Sequence, residues 1–413
     1  MEIDSWSLVG ASVINAALGL VFWLASARLF PIADVGRAST MIAAATALAS
    51  VSLLASGGFL ERFLPVMRRV GQIRVVVWAS VISASLAAIT STVYSLLPSS
   101  EALFVQSWHR PVFVTSVVIL VLFSLYDSVL IGLQRGRWTA AKNVTHSVLK
   151  LLVVLLLAWC GMSLLGVEIL LAWVIPAAVL VIVVQLFLVF SRARVFSGTE
   201  SSAAAAPPLI DAARYYLISV GWLFSQILPA LFLPLLVASI AGLESAAFFN
   251  ISWVIVSASI MMMSALGGPF VARAADPNSD LAAATRSMIT MTIGVSVVRF
   301  LGVAVAGPVA LLFYGRPYFD QGWVLLVLMG VAHLIGGSAF LFGALSRVYA
   351  RIGYPMMVQA MASVLVVTLV WWLLPTYGLL GVGIAYLIQD LLIFLVTIIP
   401  LTRILPRALK GQR

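Results

Sequence analysis

Few side chains in this sequence are equipped for chemistry, and most of those lie in apolar surroundings. Arg299 sits in the run Val295-Ser296-Val297-Val298-Arg299-Phe300-Leu301, where an unpaired charge is costly, so it must face other helices or a wet cavity. A guanidinium there suits an anion with several oxygens, such as a phosphate, because its planar fork donates several hydrogen bonds. It equally suits a structural ion pair, with Asp390 as the nearest candidate in kind. Lys150 lies in a similar setting, close enough to a span end to snorkel. Asp127 and Asp390 are the embedded acids, and either suits proton or Na⁺ coupling or pairing with a base. His333 suits a proton relay or a hydrogen-bonded core position.

Other chemistries are poorly supplied. Three histidines and the single Cys160 argue against a transition-metal site and exclude an intrachain disulfide. Cys160 reads as a core residue of an apolar run. No P-loop is present, so direct ATP hydrolysis has no sequence support. Gly132-Leu133-Gln134-Arg135-Gly136 follows no strand and reads as a basic loop. No cofactor is expected beyond a coupling proton or Na⁺, and nothing in this set suggests an enzyme.

The elements that must hold these residues follow from composition. Of 413 residues, 63% are hydrophobic and 9% charged, with a mean hydropathy of +1.14. Soluble domains are ~45–50% apolar and ~25% charged, so this chain cannot coat soluble domains of its length. Twelve apolar segments can be read, over 6–29, 40–60, 75–97, 111–133, 144–165, 167–190, 215–240, 248–270, 287–313, 323–345, 356–374 and 380–401. Each reaches the ~20 residues of a membrane helix or nearly so. The first has acidic Glu2 and Asp4 ahead of it and is too long for a cleaved signal.

With the N-terminus cytoplasmic, eighteen of the 24 basic residues fall in inside segments, Lys142 among them, and four outside: Arg28, Arg37, Arg110 and Arg316. Lys150 and Arg299 fall inside spans. The bias predicts cytoplasmic termini and accounts for the net charge of +10 without nucleic acid. Trp6, Trp23, Trp108, Trp323, Trp371 and Trp372 read mainly as an interfacial belt. Segment 191–214, with Pro207-Pro208 and four alanines, has linker composition. The expected organisation is a six-helix lobe over 1–190, the linker, a second six-helix lobe over 215–401, and a basic tail over 402–413. A shift of 211 residues places Asn15 on Gln226, Gly57 on Gly268, Arg62 on Arg273 and Gly132 on Gly343, and Gly166 meets Gly381 after four more residues. Six spans per half would relate the halves by an axis along the membrane normal. Pro229 and Pro234 would kink the seventh span.

Three stretches carry a family resemblance. Ala27-Arg28-Leu29-Phe30-Pro31-Ile32-Ala33-Asp34-Val35-Gly36 is similar to the junction after the first helix of the oligosaccharide-lipid and polysaccharide flippases of the multidrug/oligosaccharidyl-lipid/polysaccharide exporter superfamily. Gly57-Gly58-Phe59-Leu60-Glu61-Arg62-Phe63-Leu64-Pro65 resembles the end of their second helix. Pro375-Thr376-Tyr377-Gly378-Leu379-Leu380-Gly381-Val382-Gly383-Ile384-Ala385 resembles their last interhelical junction. Gly242-Leu243-Glu244-Ser245-Ala246-Ala247 departs from the pattern, with Ala247 where that family usually has glycine.

The resemblance implies an all-α membrane protein of two pseudo-symmetric six-helix lobes. It also implies alternating-access movement of a polyprenyl-diphosphate-linked oligosaccharide to the outer leaflet of the cytoplasmic membrane, for polysaccharide biosynthesis. The partners it implies are the lipid-linked glycan, membrane lipid, and a glycan polymerase and glycosyltransferases. Under it, Arg299, Arg28 and Lys150 are candidates for the diphosphate, Asn15 and Gln226 for sugar hydroxyls, and Arg62 and Arg273 for the diphosphate near the inner leaflet. Asp127, Asp390 and His333 are the coupling candidates. For each, interfacial anchoring or interhelix bonding is the plain alternative. Two other functions compete: multidrug export within the same superfamily, and a glycan polymerase or ligase using the outside connection 98–110 with Glu101, His109 and Arg110.

Overall fold

The computed structural model describes residues 2–53, 56–64, 69–161, 164–190, 228–275, 280–349 and 353–412. Gln226 and the linker 191–214 lie outside them, as do the side chains of Arg62 and Arg273. The described residues are helical, with no strand among them. A helix closes its backbone hydrogen bonds within one segment, which is what hydrocarbon demands.

The chain divides into two compact units, Met1–Ser239 and Ile240–Arg413. The first contains α1 (Glu2–Leu29), α2 (Ile32–Ser52), α3 (Ser56–Phe63), α4 (Arg69–Ser95), α5 (His109–Gly132), α6 (Gly136–Trp159) and α7 (Val167–Phe190). Here α1 packs on α6, α4 on α5, and α5 and α2 each on α7. The second contains α8 (Gly242–Ala275), α9 (Leu281–Phe300), α10 (Gly307–Tyr314), α11 (Arg316–Ile335), α12 (Gly337–Val348), α13 (Gly353–Tyr377) and α14 (Leu379–Leu409). Its centre is α14, packed on α11, α12, α13 and α9.

Nine described helical stretches are long and apolar enough to cross a membrane, which makes this a multi-pass membrane protein. They match the third to sixth and ninth to twelfth expected segments, and the stretch Leu228–Met263 runs from within the seventh into the eighth. The 24 residues of α7, for example, reach ~36 Å at 1.5 Å per residue, more than the ~30 Å hydrocarbon core.

The long spans are interrupted in ways a hydropathy profile does not show. The helix from Leu228 runs through Pro229 and Pro234 into a π turn at Val237–Ala241. A second π turn, Leu301–Ala306, joins α9 to α10 just before Pro308. Proline has no N–H to donate, and a π turn is one way a helix absorbs such a break. The tenth segment is two helices, α11 and α12, parted at Gly336. A Cβ on Gly337 would collide with the Ser296 hydroxyl of α9, so beside the break α9 packs too close for a side chain.

Several expectations need correction. Cys160 caps the C-terminus of α6 and is exposed; α6 begins eight residues earlier than the expected segment and ends six earlier, so Cys160 falls past its end instead of in the core. Trp23 is buried among aromatic rings and does not belong to an interfacial belt. Arg37 is no loop anchor. It is 9% exposed in the second turn of α2. One terminal nitrogen, Nη1, lies 3.1 Å from Asp34 Oδ1 and donates to the Leu165 carbonyl at 2.7 Å, and Nε donates to the Ala102 carbonyl at 3.2 Å. Leu165 holds a φ of 55° to present that carbonyl, and Gly166 follows at φ 87°. A Cβ on Gly166 would lie 2.5 Å from the Asp34 carbonyl oxygen. Arg37 thus ties the start of α2 to both loops at its end of the unit.

Arg37→Ala leaves Asp34 without its buried partner, a loss of roughly 3–5 kcal/mol for a pair of this kind. Gly166→Ala adds a side chain in a left-handed conformation against a carbonyl. Thermal unfolding of purified protein should show both variants markedly less stable than wild type, and Arg110→Ala, whose side chain is exposed, unchanged.

Candidate functional site: the buried charges of each unit

Three basic side chains line one face of α6. Lys142, His146 and Lys150 are spaced four residues apart and all are buried. At 3.6 residues per turn such a stripe faces one way, here toward α1, α5 and α7.

At its first position, Lys142 Nζ lies 3.0 Å from Asp127 Oδ1 of α5 and donates to the Phe123 carbonyl at 2.7 Å. The same ammonium stands over the Phe123 ring, 3.1 Å from its centroid. Asn143 Nδ2 donates to Asp127 Oδ1 at 3.2 Å. The charge that arrives with Lys142 is therefore balanced on the spot.

His146 shares a hydrogen bond of 2.9 Å between Nε2 and the Trp173 carbonyl of α7 and packs on Phe123.

Lys150 is different. It is 5% exposed, and its ammonium stands 3.6 Å from the Trp173 ring centroid and 5.4 Å from that of Phe22. Phe22, Trp23 and Trp173 pack edge-on or tilted against one another. No carboxylate among the described residues pairs with it. Ring faces attract a cation through the quadrupole, by about 0.5–2 kcal/mol, which holds the ammonium in place without neutralising it.

The second unit gathers a different set. Arg299, in the last turn of α9, is 6% exposed and its Nε has no hydrogen-bond partner among the described residues. Asp390 of α14 is near enough to act on it electrostatically, yet the two form no salt bridge within 4.0 Å. Asp390 Oδ1 accepts from Gln389 Nε2 at 3.3 Å, and its other oxygen is beside Gly336 at the α11–α12 break. His333 of α11 bonds through Nδ1 to the Ser259 hydroxyl at 3.1 Å and lies in the field of Arg299. Thr292, Ser296, Tyr386 and Gln389 each have a buried oxygen with no partner among the described residues. Buried polar atoms are ordinarily satisfied, so this cluster has spare capacity for water, an ion or a polar ligand.

The expected residues are thus distributed as follows. Arg299, Asp390 and His333 come together in unit two. Lys150 is at the aromatic cluster of unit one. Asp127 is committed to Lys142, a partner the sequence reading assigned to a loop. Asn15 is partly exposed on α1, and its Oδ1 is buried with no partner among the described residues. Arg28 is exposed in the last turn of α1, outside both clusters. The roles expected for Gln226, Arg62 and Arg273 fall on atoms that are not described. His146, Lys142 and Trp173 were missed. The four-residue spacing of Lys142, His146 and Lys150 was the signal for the first two; Trp173 carried none. His109, considered for a polymerase in the outside connection, is fully buried at the first position of α5.

No family model matches the chain, and no curated protein matches it. Solved structures do. An inward-facing multidrug resistance MATE family transporter of the MOP superfamily is 16% identical, with 94% of this chain and 95% of that chain covered at a TM-score of 0.68. An outward-facing structure of such a transporter is 17% identical, with 98% and 96% covered at 0.61. A MOP superfamily transporter from Pyrococcus furiosus, whose binding pocket is described as reversed in polarity with a suggested different function, is 14% identical, with 98% and 96% covered at 0.58. At these identities the likeness establishes the fold: the chain has the all-helical fold of MATE and MOP superfamily transporters.

The Lys142–Asp127 pair is testable by a double-mutant cycle. Asp127→Asn alone leaves the buried Lys142 ammonium without its carboxylate and should destabilise by roughly 3–5 kcal/mol, while Lys142→Met alone strands a partly exposed Asp127 and should cost less. The double variant should recover much of that loss in thermal unfolding. Additive losses would mean the two side chains do not depend on each other.

Proposed function

We propose that this chain is a transporter of an anionic, lipid-linked oligosaccharide, moving a polyprenyl-diphosphate-linked glycan across the cytoplasmic membrane by alternating access. The carrying observation is Lys150: a buried cation within a membrane span, held on aromatic rings, with no acid paired to it among the described residues. Such a charge is expensive in hydrocarbon, and a substrate phosphate would supply the missing counter-charge. Arg299 is the second cation offered, with an unpartnered Nε that an oxyanion could accept from. Tryptophan and phenylalanine beside Lys150 suit the faces of sugars, and Asn15 Oδ1 suits their hydroxyls. The shared fold supports the transport half of this reading, and the cytoplasmic location of both termini rests on the distribution of basic residues.

Multidrug export is the competing reading within the same fold. An exporter of organic cations needs an acid free to receive them. Asp127 is held by Lys142 and Asn143, and Asp390 lies in the field of Arg299. The first arrangement favours an anionic cargo. Asp390 and His333 remain the coupling candidates, since both sit beside the unpartnered hydroxyls of unit two.

The test is transport by purified protein in liposomes loaded with a lipid-linked oligosaccharide, read as the fraction accessible to an external glycosidase. Wild type should expose the glycan. Lys150→Met and Arg299→Ala should each lose at least tenfold in rate at unchanged protein content, while Lys150→Arg keeps part of it. Normal transport by Lys150→Met would remove the carrying observation. Export of a cationic dye with no glycan movement would establish the multidrug reading instead.

A further inference from the structure

The lipid-facing side of unit one is not uniformly greasy. Between α4, α5 and α7 runs a shallow groove of about 200 Å³, lined by Val76, Val77 and Val81 on one side and Leu188 and Val189 on the other. That is below the ~300–1,000 Å³ of a pocket enclosing a whole small molecule, and suits a stretch of chain lying along a surface. Three polar side chains line it as well: Ser80, Tyr126 and Gln185. The Tyr126 ring is buried, with its hydroxyl beside that of Ser80. Gln185 is exposed on α7 and makes no hydrogen bond among the described residues.

An amide facing hydrocarbon without a partner is unfavourable by several kcal/mol. Gln185 is five residues from the last residue of α7, or ~7.5 Å along the axis. Tyr126 is six residues from the end of α5, or ~9 Å. Those depths correspond to the region where a bilayer lipid carries its glycerol esters. Basic groups stand at the same end of the helices: Arg74 is exposed on α4, and the Arg135 guanidinium is 5.9 Å from the Phe187 ring centroid of α7.

We propose that this groove holds one acyl chain and the ester region of an anionic glycerophospholipid from the leaflet facing the α4 N-terminus. The chain lies along the valines and Leu188. The Gln185 amide and the Tyr126 hydroxyl donate to ester carbonyls, while the Ser80 hydroxyl donates to the Val76 carbonyl at 2.8 Å, and the phosphate lies toward the arginines. The ester match is what selects a phospholipid over a polyprenyl tail, which has no carbonyl to receive those donors. The groove is separate from the Lys150 and Arg299 clusters, so this assignment stands whatever the transported cargo is.

The full chain in nanodiscs doped with phosphatidylglycerol bearing a photoreactive acyl chain supplies the test, with adducts mapped by peptide mass spectrometry. Adducts should concentrate on α4 and α7 peptides containing Val76, Val77 and Leu188, several-fold above those on the exposed face of α13. Val76→Trp, which fills the groove, should lower them at least fivefold while α13 labelling is unchanged. Gln185→Leu keeps the helix and the groove shape, and should weaken competition by unlabelled phosphatidylglycerol several-fold; it serves also if the tryptophan variant does not accumulate. Even labelling of all lipid-facing helices would overturn the proposal. So would wild-type labelling in both variants, or stronger labelling of these peptides by a photoreactive polyprenyl phosphate.

Discussion

A charge within a bilayer must find a partner inside the protein or be unfavourable, and this constraint organises both units. In unit one the α6 stripe meets it in two ways. Lys142 takes Asp127, a carbonyl and a ring, which uses up the one carboxylate bonded to the stripe among the described residues. Lys150, two turns on, is left with ring faces alone. The helices around it are fixed accordingly: α1 supplies Phe22 and Trp23, α7 supplies Trp173, and α5 supplies Phe123 and Asp127. Replacing that packing with aliphatic residues would preserve the burial and lose the attraction for the ammonium. The aromatic content of this corner is electrostatic as well as apolar.

The same constraint explains what could be read from the sequence. The bounds of α7 are those expected from hydropathy, because its face toward the protein and its face toward lipid are both apolar, and Gly166 marks its start. Helix α6 was misplaced by eight residues because Gly136, Arg137, Lys142 and Asn143 look like loop when averaged around the axis. In the fold Lys142 belongs to an inward polar face. Arg37 and Asp34 misled in the same way at the start of α2, which begins at Ile32 and not near residue 40. Hydropathy measures the mean of a helix surface, and a membrane helix with a functional face departs from that mean on one side.

The site itself was legible as a set of residue types and not as a set of partners. Arg299 and Lys150 stand out by type and depth alone. That Lys150 would rest on Phe22 and Trp173, 128 and 23 residues away, cannot be read from spacing. Nor can the gap between Arg299 and Asp390, which the sequence offers as an obvious pair. The family-like stretches are clearer in the fold than as motifs. Gly378, at φ 55°, turns α13 into α14, and Gly381 abuts the Leu373 carbonyl. The repeat is less regular than its glycines suggest, since Gly132 is pressed against the Leu60 carbonyl while its mate Gly343 faces open space.

The π turn at Leu301–Ala306 has a consequence for how this gene can change. A π turn accommodates one residue more than the α-helical path would use. Deleting a single codon between 301 and 306 would let the segment revert to regular α-helix. The surplus residue is confined to the wide turn, so the flanks would keep their bearing, whereas the same loss from regular α-helix would rotate one flank by about 100° relative to the other. The apolar composition, and so the membrane insertion, would hardly register either loss. The bearing of Arg299 relative to α10 would be kept in the first case and lost in the second. Chain length can therefore vary at this one place without re-aiming the charge, a tolerance that comparisons of substitutions alone would overlook.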